Sequence, residues 1–302
     1  MDAGDLRFFE AVARLGGMNK AAAELKTVQS NVTARIRALE DELGVKLFAR
    51  TNRGVTLTDS GRRLLPYALR VASVLDDARR AALDDGTPGG QLVVGSLETT
   101  AALHLTPLLS RFAAAYPAVD LSLRTGTSCE LIEWVLGHRL EGAFVCGPVA
   151  HPELDVEPFF REELVMLTAA TITDFEALAR QAGFRIVVLR AGCSYRLQLE
   201  AILARRGIVN VRHMEFGTLE AIIGCVSAGL GVTLLPKALV GPVWREGRLA
   251  MHALPAGEGM VETVFVRRRD GYASSALGAF LGLARPELGQ PHTGTTTAAI
   301  VS

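Results

Sequence analysis

The sequence predicts an α/β protein: a mostly helical head with a short β-hairpin over residues 1–58, one long helix over 59–85, and an α/β body over 91–289. Three observations predict it. Apolar side chains recur at helical spacing in three segments before residue 85. Asp85-Gly86-Thr87-Pro88-Gly89-Gly90 is turn chemistry and breaks the chain there. Beyond Gln91, short apolar strands alternate with helices, which is the pattern of a parallel sheet.

The first helix carries Leu6, Phe9, Val12 and Ala13 on one face and stops at Gly16-Gly17. A second, short one is expected from Lys20 to Leu25, capped by Asn19, with small residues Ala21-Ala22-Ala23 that let a neighbour approach closely. The third spans Gln29 to Leu43, with Val32, Ile36, Leu39 and Leu43 as its buried stripe and Gly44 as its stop. Gln29, Ser30, Asn31, Thr33, Arg35 and Arg37 then face outward, a polar and donor-rich surface. Val45 to Ala49 and Gly54 to Thr58 read as a hairpin, or wing, turning at Asn52 to Gly54. In the long helix from Asp59 to Leu83, the stripe Leu64, Ala68, Val71 and Leu75 asks for a partner helix.

In the body, strands are expected at Leu92–Ser96, Val119–Arg124, Gly142–Cys146, Leu164–Ala169, Arg185–Leu189, Val211–Phe216, Val232–Leu235 and Val261–Val266. Helices fill much of the space between them, and a last one covers Ala273 to Ala284. Residues 290–302 lack periodicity and are expected to form a disordered tail.

Composition narrows the function. At 302 residues and 49% hydrophobic, the chain has material for cores of ordinary size. The start Met1-Asp2-Ala3-Gly4-Asp5 lacks an apolar leader, and no window holds eighteen uncharged apolar residues, so a cytoplasmic protein without a membrane partner is expected. The formal net charge is zero, but from Lys20 to Arg63 nine basic residues oppose five acidic ones, a local excess where a DNA-facing surface needs it. Cys129, Cys146, Cys193 and Cys225 form no CxxC pair and have no His at ligand spacing, so no metal site is expected. Gly-x-Ser-x-Gly, His-Glu-x-x-His and Walker motifs are absent and the six histidines are dispersed, so no catalytic residues and no cofactor are expected.

Phe8-Phe9-Glu10-Ala11-Val12-Ala13, Lys20-Ala21-Ala22-Ala23-Glu24-Leu25 and Val28-Gln29-Ser30-Asn31-Val32-Thr33-Ala34-Arg35-Ile36-Arg37-Ala38-Leu39-Glu40 follow one another in a dense, ordered series. The series continues through Leu43-Gly44-Val45-Lys46-Leu47-Phe48-Ala49-Arg50 and Leu57-Thr58-Asp59-Ser60-Gly61. It resembles the amino-terminal winged helix-turn-helix of LysR-type transcription regulators. The rest of the chain, including Ala228-Gly229-Leu230-Gly231-Val232-Thr233-Leu234-Leu235-Pro236, resembles that family more loosely. The resemblance implies a linker helix and an effector domain like the periplasmic binding proteins. Its subdomain I would cover about 91–161 plus 267–289, and subdomain II about 162–266. One departure is visible. Family members often place Ser or Thr directly before the recognition-helix Gln, whereas here Val28 stands there and Thr27 one place earlier, so either Thr27 takes over the cap or the turn is altered.

For a helix in the major groove, Gln29 and Asn31 suit adenine, Arg35 guanine or phosphate, and Ser30 and Thr33 a phosphate or a thymine methyl. Arg37 lies on the same polar face, and Arg50, Thr51 and Arg53 on the wing suit the backbone or the minor groove. The expected partners are double-stranded DNA with an inverted repeat, a second copy through the linker helix, and a small-molecule effector. The resemblance adds tetramers of two dimers, and RNA polymerase stands as a further candidate partner.

Strand ends that run into helix starts suit anionic ligands such as carboxylates. Three such places supply the effector candidates: Ser96, Glu98, Thr99 and Thr100; Thr125, Thr127 and Ser128; Cys193 and Ser194. Helix capping is the competing role for the hydroxyls. A redox-sensing alternative rests on Cys193, whose place at a helix start lowers a thiol pKa; the next cysteine in the chain is Cys225.

Overall fold

The structure, a computed structural model, describes residues 1–51, 54–175, 178, 184–255 and 257–288. It divides into two compact units, one built on Met1–Gly86 and the other on most of the chain from Thr87 onward. Of the sequence expectations, the tail at 290–302 and Arg53 lie outside the described residues, as do the side chains of Arg50 and Thr51.

Helix α1 (Ala3–Leu15) begins at a reciprocal cap: Asp2 accepts from the Asp5 N–H at 2.8 Å and Asp5 from the Asp2 N–H at 3.0 Å. It ends at Gly16, in the left-handed region at φ 68°. Helix α2 (Met18–Glu24) starts earlier than expected, at Gly17, so Asn19 lies inside the helix and caps nothing. Helix α3 (Gln29–Leu43) has the expected bounds. Val32, Ile36 and Leu39 are buried, but Leu43 is exposed and Glu40 points inward instead. Strands β1 (Phe48–Thr51) and β2 (Gly54–Leu57) pair antiparallel with Phe48 opposite Leu57; Val45–Leu47 stay outside the strand.

Helix α4 (Asp59–Leu83) starts at Thr58, whose hydroxyl accepts from the Gly61 N–H at 3.1 Å. Its expected stripe is divided. Ala68 is fully buried in the head's core with Leu64 and Val71 beside it, around Phe9, Val12, Ile36 and Leu39. Three of the four stripe residues therefore serve the head's own core, and Leu75 stays half exposed together with Val74, Tyr67 and Leu83.

In the second unit, β3 (Gly90–Ser96) leads into α5 (Glu98–Thr100), a π-helical turn at Ala101–Leu105 and α6 (Thr106–Ala115). Then come β4 (Val119–Thr125), α7 (Ser128–Leu136), β5 (Gly142–Cys146) and the long β6 (Leu154–Ala169). After β7 (Arg185–Leu189) follow α8 (Ser194–Arg205), β8 (Arg212–Phe216), α9 (Leu219–Ser227) and β9 (Thr233–Pro236). The described part closes with α10 (Lys237–Arg245), β10 (Leu249–His252), β11 (Met260–Arg268) and α11 (Ser275–Leu288).

The pairing is mixed. β3 runs parallel to β4 and β5, and β7 parallel to β8. β6 is antiparallel to β11 along Leu154–Glu163 and to β9 and β10 along Leu164–Ala169. The expected parallel pairs are present, and antiparallel ones stand beside them. One uninterrupted strand thus joins two cores, a phenylalanine-rich one with Phe112, Phe144, Phe265 and Phe280, and an aliphatic one with Ile186, Leu199, Ile222 and Val232. No described helix is long and apolar enough to cross a membrane.

Candidate nucleic-acid interface and ligand cavity

On α3 the core-facing stripe leaves the predicted polar face outward. Gln29, Ser30, Asn31 and Arg37 are exposed and Thr33 is half-buried. Within that face Gln29 donates to the Thr33 hydroxyl at 3.2 Å and Asn31 to the Thr27 hydroxyl at 3.0 Å. Each amide keeps its carbonyl oxygen for an outside donor. The structure decides the cap question. Val28 is the N-cap, its side chain caps nothing, and Thr27 is occupied by Asn31. The recognition helix begins without a side-chain cap.

Arg35 occupies a different position from the one its neighbours suggest. Its guanidinium donates to Asp5 at 2.9 Å and lies over the Phe8 ring at 5.3 Å, which braces α3 against α1. The Asp5 carboxyl is pushed up by burial but held below its usual range on balance, by the Asp2 N–H and by Arg35.

Beneath the wing, Glu40 is buried, and Oε1 accepts from the N–H groups of Leu47 at 2.9 Å and Phe48 at 3.2 Å. Lys46 Nζ donates to Oε2 at 2.9 Å. Burial raises this carboxyl, yet Lys46 and the two N–H groups together hold it below the usual glutamate range.

In the second unit, the ends of β3, β4 and β7 meet around a cavity open to solvent. Six of the nine effector candidates line it: Glu98, Thr99, Thr125, Thr127, Cys193 and Ser194. The other three do not. Ser96 is buried and donates to the Leu97 carbonyl at 3.0 Å, Thr100 is buried behind the wall, and Ser128 accepts from the Cys146 N–H at 3.1 Å. Ser128 also shares a 2.9 Å hydrogen bond with Ser194.

Thr127 proves to be a helix cap as well as a lining residue. Its hydroxyl accepts from the Glu130 N–H at 3.3 Å, and the Glu130 carboxylate accepts from the Thr127 N–H at 2.8 Å and hydroxyl at 3.0 Å. Thr99 is no cap; it shares a 3.1 Å hydrogen bond with the buried Tyr195 hydroxyl.

At Cys193 the thiol pKa shifts upward, opposite to the lowering expected at a helix start. Burial raises its pKa, and the N–H groups of Arg196 and Tyr195 offset this only in part. Cys146 is pushed up to about 11, chiefly by burial. All four cysteines are free thiols.

Two family descriptions match the chain. Residues 3–62 match "Bacterial regulatory helix-turn-helix protein, lysR family", and residues 85–289 match "LysR substrate binding domain". The chain belongs to the LysR family of transcriptional regulators. Among curated LysR-type relatives, an uncharacterised regulator of Bacillus subtilis, YusT, is 46% identical across 93% of this chain and 94% of its own length. GltR of the same organism is 43% identical across 91% and 93%, and CzcR of Bacillus anthracis 40% across 93% and 96%. Full-length LysR-type structures share the fold. CbnR in complex with its target DNA superposes with a TM-score of 0.64 at 23% identity, covering 95% of this chain and all of that one. A full-length OxyR variant from Pseudomonas aeruginosa gives 0.68 at 20% identity, covering 95% and 94%. The family pairs a DNA-binding head with an effector-binding domain, as the two matched regions do here.

Several cavity residues of this LysR-type regulator went unmarked in the sequence. Tyr195, Arg190, Leu97, Leu189, Gly126 and Gly217 also line the wall. Arg190 and Tyr195 flank Cys193-Ser194, but only the fold shows that Tyr195 meets Thr99 after β3 and Arg190 meets Glu130 after β4. Glu40 was part of the motif, yet a carboxylate near the end of an amphipathic helix gives no sign that it holds backbone N–H groups of a hairpin.

Proposed function

We propose that this chain is a DNA-binding regulator whose operator affinity or activating state is set by a small metabolite bound in the cavity at the ends of β3, β4 and β7. The observation that carries the reading is the coexistence in one chain of an outward polar face on α3 and a hydroxyl-lined cavity. Gln29 and Asn31 read base edges, while Ser30, Thr33 and Arg37 hold phosphate. Arg35 supports the helix from behind. The wing residues Arg50, Thr51 and Arg53 grip the backbone. Footprinting on the DNA upstream of the chain's own coding sequence, with and without candidate metabolites, tests the whole reading. An effector-dependent footprint over an inverted repeat supports it, and absence of any protected site refutes it.

Gln29→Ala should cost about 1–3 kcal/mol of discrimination at one base position. Arg37→Ala should weaken binding to all sequences alike and reduce the salt slope by roughly one counterion. Titrations of cognate and random duplex at several salt concentrations separate the two; variants that bind both duplexes like the wild type contradict the assignment.

Two heads are held together through α4. With Leu64, Ala68 and Val71 used inside the head, the surface left for a partner is Tyr67, Val74 and Leu75, with Leu83 further along. Val74→Glu with Leu75→Glu should shift the chain toward monomer in analytical ultracentrifugation and weaken operator binding by a factor on the order of 100, since two half-sites no longer bind together. A double variant with the wild-type sedimentation profile would place the dimer contact elsewhere.

A further inference from the structure

The ligand cavity carries an uncompensated negative charge. Glu98, the first residue of α5, lines the wall half-buried, and among the described residues no Lys, Arg or His lies within ion-pair distance of its carboxylate. Arg190, the cation on the same wall, is paired with Glu130 at 3.6 Å. Burial raises the Glu98 pKa above the usual glutamate range, the neighbouring Glu220 raises it further, and Arg190 works the other way. A carboxylate partly desolvated beside a second one is unfavourable unless something positive comes to it.

Thr127 sits on the Arg190 side of the wall, because its N–H and hydroxyl donate to the same Glu130 carboxylate oxygen that Arg190 meets. At the Arg190 and Ser194 side the balance reverses, because a guanidinium and the start of α8 both favour an anion. One side of the cavity wants a hydrogen-bond donor with positive charge, and the other tolerates a carboxylate.

We propose that the effector is a small amino-carboxylate zwitterion, an α-amino acid or close relative, with its ammonium on Glu98 and its carboxylate toward Arg190 and Ser194. This rests on the reading of the cavity as the effector site. A plain carboxylate would bring one more negative charge to Glu98 and Glu220 and gain nothing from either.

The test uses the full chain and three probe sets built on the same carbon skeletons: the proteinogenic L-amino acids, their desamino carboxylates and their decarboxylated amines. Binding is read by calorimetry and thermal shift. The expected result is that the amino acids that bind do so at least roughly tenfold more tightly than either partial analogue. Glu98→Gln should weaken them by a factor of roughly 10 to 100, with much of the loss restored in Glu98→Asp. A melting curve on each variant shows that it is folded. Desamino carboxylates that bind as well as the amino acids, and lose affinity in Tyr195→Phe, would overturn the zwitterion while keeping the cavity. Amines that bind as well as the amino acids overturn it too, by removing the carboxylate half. Amino-acid binding untouched by both Glu98→Gln and Tyr195→Phe would overturn the cavity reading itself, and no binding in any set overturns the proposal.

Discussion

Gly61→Ala is expected to disrupt the DNA-binding head and abolish operator binding. A Cβ at this position would lie 2.2 Å from the Leu47 carbonyl oxygen and 2.8 Å from Leu57 Cδ2. The first of these is backbone and cannot rotate away. Gly61 sits in the first turn of α4, fully engaged: its N–H donates to Thr58, and Thr58 in turn donates from its hydroxyl to the Lys46 carbonyl at 2.6 Å. Relief of the clash means separating α4 from the chain entering the wing. Overpacking of this kind costs about 3 kcal/mol, a large part of the 5–15 kcal/mol on the order of which domains are stable. Urea melts followed by circular dichroism, together with a mobility-shift titration, check this. A variant that melts and binds like the wild type would show that the wing moves freely away from α4.

The second large effect belongs to Glu40. Removing its carboxylate in Glu40→Ala leaves the buried N–H groups of Leu47 and Phe48 without their acceptor and releases Lys46. Two buried donors stranded in this way cost about 3 kcal/mol together. The wing should lose its fixed position, and operator affinity should fall even though no DNA-facing side chain has changed. The same contact gives a pH dependence. The folded-state pKa of Glu40 lies below the unfolded value, so its stabilisation is complete above the ordinary glutamate value of about 4.3. It is lost as pH falls through the folded pKa. Acid melts of wild type and Glu40→Gln should therefore converge at low pH and diverge toward neutrality. Parallel curves would refute the role of the charge.

Both predictions concern residues that the motif series contained without explaining them. Leu39-Glu40 and Ser60-Gly61 were legible as part of a resemblance, but the reasons for them, a carboxylate under a hairpin and a glycine against a carbonyl, exist only once α3, α4 and the wing are packed. The two parts of β6 show the same divide. Leu164–Ala169 is an apolar run buried on both faces that reads as a strand, whereas Leu154–Glu163, with four acidic residues and one proline, gives no such signal. It pairs with β11 along nearly its whole length, because an alternating strand needs only one buried face and a partner far away in sequence.

The sequence by itself determined the α3 boundaries, its outward polar face, the long α4 and the strands whose ends build the cavity. These follow from local periodicity, glycine stops and composition, which act over a few residues. Tertiary structure alone decided that Arg35 braces α1, that most of the α4 stripe fills the head's own core, and that the half-buried Cys193 thiol has its pKa raised instead of lowered. It also decided that Glu98 lacks a cation within ion-pair reach among the described residues while Arg190 is tied to Glu130. Each of these depends on what a side chain meets across tens of residues of intervening chain, and burial and charge pairing are properties of that meeting.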